Sequence, residues 1–457
     1  MPLKLYNTLM RKKETFRPIK DKQVGIYGCG PTIYWYQHIG NLRRYIFEDL
    51  LIRTLLFDDY KVKHFINVTD VGHLTSDADE GEDKIEKAAK KEGKSAKEIT
   101  HYYFNEFKKD LEKLNFIMPN KWLWATEHIK EQIELVKVLE KKGFTYRTKD
   151  GIYFDSSKLK DYGKLANLNF KGLQKGKRVK FGEKKNKTDF ALWKFSAKPG
   201  VRQQEWNSPW GVGFPGWHIE CSAMSSKYLG KHFDIHTGGI DHIQIHHTNE
   251  IAQSESAFGK KPWVNYWMHS GHLRLKKGKM SKSAGSILRL EDLEKKGYSA
   301  MDFRYLVLSV HYRKPLIFSF ENLKSAKNSW QSLKNIILEI KNDKKINKNY
   351  LKEFEEAIND DLNTPKALQV LWKLVRDKKA NGKYLTIKKM DEVLGLDLLK
   401  PKKKGFTFSL EIKELITLRE NARKKKNWKK ADELRDKINK LGYQIDDTEK
   451  GVEVRWR

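Results

Sequence analysis

Two cysteines, a histidine and a glutamate carry the most specific chemistry in this chain of 457 residues. Cys29 and Cys221 are its only cysteines, and each lies beside a strand signal. His246 and Glu250 stand four apart at the start of a segment whose pattern is helical from Ile251 onward, a spacing that puts both on one helix face. Zinc accepts thiolate sulfur, imidazole nitrogen and carboxylate oxygen, so Cys29, Cys221, His246 and Glu250 make a candidate metal site. Spacing leaves a second reading open. No Cys-x2-Cys pair is present, and a His-x3-Glu pair serves equally as a surface interaction.

Two further stretches suit phosphate. In Cys29 to Asn41 the residues His38-Ile39-Gly40-Asn41 fall where an apolar strand run gives way to helical spacing. The free N–H groups and dipole of a helix start favour an anion there, and Gly40 lets a large ligand approach the backbone. A tight turn capped by Asn41 is the alternative. Lys276 to Ser283 sets ammonium groups and hydroxyls on a glycine-flanked loop, able to close over phosphates and neutralise charge developing during their transfer. A basic surface loop has the same composition.

The elements that must position these groups follow from periodicity. Val24 to Cys29 reads as a strand, and Leu42, Ile46, Leu50 and Leu51 recur at helical spacing. Val62, His64, Ile66 and Val68 alternate along a second strand that ends at Thr69-Asp70, where a ligand-facing loop begins. Gly72 to Gly81 is an acidic loop, and Asp83 to Leu114 has helical character. From Phe116 to about Gly200 the pattern changes, with a helix over Glu127 to Lys142, short strands at Phe144 to Tyr146 and Gly151 to Phe154, and a basic, solvated stretch from Lys171 to Lys187. This has the look of an inserted module. Glycines, histidines and tryptophans then mix between Asp189 and Cys221, which suits a shaped pocket more than a plain interior. After a strand at His232 to His236, helix signals run over Glu321 to Ile340, Tyr350 to Ile358 and Ala367 to Val375. A final helix around Trp428 precedes a strand-like end through Val452, Val454 and Trp456.

Composition bounds the class. Lysine and arginine number 91 against 59 acidic residues, a net charge of +32, which suits a polyanion such as nucleic acid but also arises from lysines on solvated helix faces. Two distant cysteines imply no disulfide framework and a reducing compartment. No run reaches membrane-spanning length and no secretory segment opens the chain, so a cytoplasmic protein is expected.

His38-Ile39-Gly40-Asn41 resembles the HIGH signature of class I aminoacyl-tRNA synthetases, with Asn in the last place, and Lys279 to Ser283 matches their KMSKS signature in full. Cys29-Gly30-Pro31-Thr32, Gly216 to Met224 and His246 to Glu250 are similar to the cysteinyl-tRNA synthetase family in particular, nearly end to end. The resemblance implies an α/β fold: a Rossmann-type catalytic domain (1–120 and 201–270) split by a connective insertion (121–200). A stem-contact region with the KMSKS loop (271–318), an α-helical bundle (319–398) and a small anticodon-binding domain (399–457) would follow. It implies one zinc held by Cys29, Cys221, His246 and Glu250. ATP with magnesium would be bound by His38, Gly40, Asn41 and Lys282, with His38, Asn41, Lys279 and Lys282 catalytic. Thr69, Trp217 and His236 would line an L-cysteine pocket, and Trp428, Asp432, Arg435 and Asp447 would contact the anticodon of tRNA(Cys). A monomer is expected. Departures from the family are Ile245 in place of its usual Pro, Thr248 where Glu is frequent, and a longer acidic loop after Asp70. A cysteine ligase acting on an amino sugar and a non-catalytic zinc-containing RNA-binding protein are the alternatives.

Overall fold

The chain enters as an antiparallel hairpin of β1 (Lys4–Asn7) and β2 (Lys12–Thr15), then lays down the middle strand of its main sheet, β3 (Gln23–Gly28). The computed structural model describes residues 1–72, 83–167, 183–275, 287–400, 410–448 and 451–456, which divide between two units, Met1–Leu399 and Lys400–Arg457. In the first, β3 leads into α1 (Ile39–Phe57) and β4 (Lys61–Val68). The helical stretch expected over Asp83 to Leu114 is two helices, α2 (Lys84–Glu92) and α3 (Ala96–Lys113). Gly93 ends α2 in the left-handed conformation at φ 64°, and Ser95 with Glu98 opens α3 as a capping box, each satisfying orphan backbone groups.

β5 (Lys121–Trp124) pairs in parallel with β4, so these four residues belong to the main sheet and not to the insertion where the sequence reading put them. Their run of Trp122, Leu123 and Trp124 suits a strand buried on both faces. Next come α4 (Ile129–Lys141), β6 (Thr145–Arg147), β7 (Gly151–Phe154), β8 (Phe190–Phe195) and β9 (Gly213–Pro215). The four strands form an antiparallel sheet in that order. Most of the basic stretch Lys171 to Lys187 lies outside the described residues, as does the acidic loop from residue 73 to residue 82.

The chain then returns to the main sheet through α5 (Trp217–Leu229), β10 (Phe233–Gly239), α6 (His246–Phe258) and β11 (Val264–Ser270). The strand order is β11-β10-β3-β4-β5, all parallel. From β3 the path first runs outward to β4 and β5 and later resumes on β3's other side. The crevice at the carboxyl ends of β3 and β10 is therefore a topological switch point, the place where such sheets bind ligands. β12 (Leu273–Leu275) follows, then α7 (Leu290–Lys295), α8 (Ala300–Leu308) and β13 (Leu316–Phe318), which pairs with β12. Helices α9 (Phe320–Leu338), α10 (Lys348–Ile358), α11 (Thr364–Arg376) and α12 (Lys383–Leu394) complete the unit.

Both faces of the sheet are covered, as a parallel sheet requires. Ile26 of β3 joins an apolar cluster with α1, α3 and α8 to α12, while its neighbour Tyr27 joins one with α4, α5, α6 and the antiparallel sheet. The second unit holds α13 (Leu410–Lys424), α14 (Trp428–Lys440) and a hairpin of β14 (Tyr443–Thr448) and β15 (Gly451–Trp456).

Candidate active site

A cavity of about 1050 Å³ opens at the switch point, lined among others by Cys29, Gly30, His38, Gly40, Asn41, Thr69, Trp217 and His246. Its geometry begins with a tight backbone approach and a capped helix start. At Gly30 a Cβ would sit 1.5 Å from the carbonyl oxygen of Asn67, so only glycine fits, and the Gly30 N–H donates to Asn67 Oδ1 at 2.6 Å. This fixes the turn that aims Cys29 inward.

The start of α1 supplies the second feature. His38 caps the helix: its Nδ1 accepts from the Asn41 N–H at 3.2 Å, and Asn41 Oδ1 accepts from the His38 N–H at 3.3 Å. Asn in the last place of the signature thus closes a capping box, satisfying two backbone donors reciprocally. Because Nδ1 is the acceptor, the hydrogen of a neutral His38 ring is on Nε2.

Behind this helix start, α1 carries charge into the interior. Glu48 accepts from Arg44 Nη1 and His64 Nε2 at 2.9 Å each, and from the Thr237 hydroxyl. One carboxylate therefore ties α1 to β4 and β10. Gly28 makes room for it, since a Cβ there would meet Glu48 Oε1 at 2.4 Å. Arg43 donates to the carbonyls of Gly271 at 2.8 Å, Tyr312 at 3.4 Å, His272 and Lys314, and burial pulls its guanidinium down to about 10.

Cys29, Cys221, His246 and Glu250 converge from β3, α5 and α6, with ligand atoms all within 4.8 Å of one another. They are 3%, 1%, 2% and 0% exposed. A second grouping, Cys29, His236, His247 and Glu250, shares two of them. Cys29 and His246 line the cavity; Cys221 and Glu250 do not, nor do His236 and His247. The latter pair support the others: His236 Nε2 bonds Glu250 Oε2 at 2.9 Å, and His247 Nε2 lies 3.0 Å from Cys29 Sγ. His247 is held in turn by a chain through His269 to the Thr8 hydroxyl, 2.8 Å at each step. His236, expected in the cysteine pocket, is hydrogen-bonded to Glu250 and is not among the residues lining this cavity.

The donor set fits a cation. Glu250 Oε1 makes no hydrogen bond, although His246 Nε2 is 3.0 Å away. Burial works to raise the Glu250 carboxyl, but the positive charges of His236 and His246 bring it down to about 2. Burial likewise opposes charge on His246, yet Glu250 and Cys29 lift it to about 10. Burial raises the Cys221 thiol, reinforced by its hydrogen bond with Cys29, whereas that bond and His247 outweigh burial to lower Cys29. Among the protein groups alone, protons on His236 and His246 offset the two anions, and a metal cation would displace the one on His246. Thiolate, imidazole and carboxylate at such mutual distances are the ligands zinc takes in a four-coordinate site.

The Thr69 hydroxyl accepts from Asn67 Nδ2 at 3.0 Å and donates to Glu220 at 3.4 Å. Trp217 stacks on His246 with centroids 4.2 Å apart. Lys279 and Lys282 lie outside the described residues. Of the three departures, the acidic loop lies outside the described residues, Ile245 sits at the N-cap of α6, and the Thr248 hydroxyl donates to the Ile243 carbonyl at 2.7 Å, holding the turn into the helix. In the second unit Trp428 is 58% exposed. Asp432 pairs with Arg435 at 3.4 Å, and Asp447 is gripped by Arg419, Arg423 and Arg435. Sequence reasoning missed Arg43, Arg44, Glu48 and His247. Consecutive charged residues on α1 resemble a solvated face, and only their distant partners reveal burial.

Comparison with known proteins follows the same geometry. Residues 15–328 match the model described as tRNA synthetases class I (C) catalytic domain, 353–399 the DALR domain, and 407–455 the cysteinyl-tRNA ligase anticodon binding domain. The chain is 48% identical over 453 residues to cysteine-tRNA ligase 1 of Burkholderia lata, covering 99% of this chain and 96% of that one. It is 48% identical over 486 residues to cysteine-tRNA ligase of Treponema denticola, covering 98% of each. Methionyl-tRNA synthetase of Mycobacterium tuberculosis, bound by methionyl-adenylate, shares the fold at 14% identity with a TM-score of 0.56, over 83% of this chain and 92% of that one.

Proposed function

The chain belongs to the cysteinyl-tRNA synthetase family of class I aminoacyl-tRNA synthetases and is a ligase, and on that premise we propose how its cavity divides the work. The substrates are L-cysteine, ATP with its magnesium, and tRNA(Cys). A cysteine carboxylate oxygen attacks the α-phosphorus of ATP, the bond to the β-phosphate breaks, and pyrophosphate leaves. A terminal ribose hydroxyl of the tRNA then attacks the carbonyl carbon of cysteinyl-adenylate, and AMP departs with the bond's electrons.

Phosphate is held at the start of α1. His38, Gly40 and Asn41 line one end of the cavity. The His38, Ile39 and Asn41 N–H groups are engaged by Asn41 Oδ1, the Leu288 carbonyl and His38 Nδ1, so the positive end of the helix dipole and the approach that Gly40 leaves open are what favour phosphate here. Lys279 and Lys282 neutralise negative charge that grows in the transition state, where a fixed cation is worth most. Glu48 and Arg43 act through α1, holding its start in register with the strand ends.

Zinc held by Cys29, Cys221, His246 and Glu250 would bind the substrate thiolate, which a serine hydroxyl, harder and much less acidic, replaces poorly. Trp217 fixes the plane of His246, and His236 and His247 orient Glu250 and Cys29 from behind. Thr69 lies on the same wall. In the second unit Trp428, Asp432, Arg435 and Asp447 read the anticodon, with the exposed ring stacking on an unpaired base. The enzyme works as a monomer in the cytoplasm; no helix among the described residues is long and apolar enough to cross a membrane.

The observation that carries this reading is that Cys29 and His246, two members of the buried four-ligand cluster, line the same cavity as the α1 start. A metal-edge absorption spectrum tests it: adding cysteine should bring one further sulfur neighbour near ~2.3 Å, and serine none. An unchanged spectrum would make the metal purely structural. Exchange of pyrophosphate into ATP must depend on cysteine, which a non-catalytic RNA-binding protein fails. A ligase acting on an amino sugar would have no use for the match at residues 407–455, and charging of tRNA excludes it.

A further inference from the structure

We propose that the aromatic, lysine-bearing ledge at the mouth of the cavity is a stacking platform for the unpaired 3′-terminal nucleotides of the tRNA. The inference rests on the reading above, because a tRNA whose terminal ribose reacts in the cavity must thread its single-stranded end through the mouth. Tyr34, Trp35 and Tyr36, in the loop ahead of α1, line that mouth together with Lys84 of α2. The strip continues beyond the cavity to Tyr102 on α3. Trp35 and Tyr102 are 37% and 42% exposed.

These rings are fixed before anything binds. Trp35 lies 5.5 Å from Tyr36 and 5.6 Å from Tyr103, and Tyr36 lies 6.3 Å from Tyr102, centroid to centroid. The Tyr36 and Tyr102 hydroxyls hydrogen-bond at 2.9 Å. Tyr103, buried beneath, donates to Glu92 Oε1 at 2.5 Å. A base stacking here meets rings that have already lost their rotamer freedom.

Each ring also carries a cation. Lys84 lies 6.0 Å from the Tyr34 centroid, Lys91 5.9 Å from Trp35, Lys94 5.1 Å from Tyr102, and Arg289 4.6 Å from Tyr36. Glu92 is engaged by Tyr103 and Lys94, and Glu291 and Asp292 by Arg289. A single strand presents bases on one side and phosphates on the other, so rings rimmed with ammonium groups complement it. A protein partner or a second copy of this chain fits worse, because lysine is depleted in the cores of protein interfaces.

The test uses the full chain and two forms of a tRNA(Cys) transcript, intact and trimmed of its 3′ single strand. Tyr102→Ala should weaken binding of the intact transcript on the order of tenfold, while Tyr102→Phe, which keeps the ring, stays within about twofold. The trimmed transcript should bind parent and variants alike. Lys94→Gln should lower the slope of log affinity against log salt by up to ~0.7, for the intact form only. Cysteine-dependent pyrophosphate exchange without tRNA should not change in Tyr102→Ala. Equal weakening for both transcripts, no weakening for either, or lost exchange in a folded Tyr102→Ala would each overturn the platform. Absence of exchange in the parent protein would instead sink the functional reading beneath it.

Discussion

The four-ligand cluster of the first unit and the arginine cluster of the second meet charge in opposite ways. In the first, Cys29, Cys221, His246 and Glu250 are all buried, and the protein meets their negative charge with protons on His246 and His236, the former 3.0 Å from Glu250 Oε1. In the second unit both oxygens of Asp447 are taken: Oδ1 by Arg419 at 3.0 Å, and Oδ2 by Arg419, Arg423 and Arg435 at 2.9, 2.5 and 3.2 Å. Charge met by exchangeable protons marks a place that a metal cation can complete by displacing them. Where fixed guanidinium groups meet the charge, an incoming base must compete with them or use what the surface offers, and what it offers is the ring of Trp428.

The contrast breaks first at Glu250. Glu250→Gln should empty the cluster of metal and cut cysteine-dependent exchange by at least about 10³-fold, more than the 10–100-fold typical of outer partners. Metal content by plasma mass spectrometry is the direct check, and full retention of zinc in the variant would show that the metal does not need the Glu250 carboxylate. Arg43→Met should cost about 3 kcal/mol in urea unfolding, because it strips buried carbonyls of their donor. A loss under ~0.5 kcal/mol, the range of a surface change, would mean water takes over that role.

The smallest effects belong to the second unit and sharpen its side of the comparison. Trp428→Ala should weaken tRNA binding roughly tenfold, and Asp447→Asn by less. The latter should instead lower stability by no more than about 1 kcal/mol, since the cluster is partly solvated. The hydrogen bond from Arg419, with the charges of Arg419, Arg423 and Arg435, holds the Asp447 carboxyl below its ordinary value. Its stabilisation is therefore present above the unfolded value and is lost as pH falls through the folded one. Thermal melts of parent and variant should converge on acidification from pH 5 to pH 3. A gap that widened would show that the pairing is not what Asp447 contributes.

Much of this was legible in the chain. The strand, turn and helix around His38 and Asn41, the helix placing His246 and Glu250, and the class of the fold follow from period and from short motifs whose chemistry is local. The break at Gly93 was legible too, in Ser95-x-x-Glu98, and so was α12, bracketed by Gly382 and Gly395, but neither was read. Arg43, Arg44, Glu48 and His247 were not. Arg43 meets Gly271 228 residues away, Glu48 meets His64 and Thr237 16 and 189 away, and His247 meets His269 22 away. Arg44 pairs with Glu48 one turn along α1, as a surface pair would, and a buried charge looks like a surface one until the fold covers it. Nor does spacing say that Asp447 is engaged by three arginines.

The grip of Arg43 has an evolutionary side. It holds main-chain carbonyls at Gly271, His272, Tyr312 and Lys314, and every amino acid supplies a carbonyl. As far as this join is concerned, the side chains at 272, 312 and 314 can drift while the helix and the strand leading to residues 276–286 stay fastened. Contacts between two side chains leave correlated substitutions behind them. A join of this kind should leave one conserved arginine with no correlated partner, so relatives compared position by position would show the residue and hide what it holds.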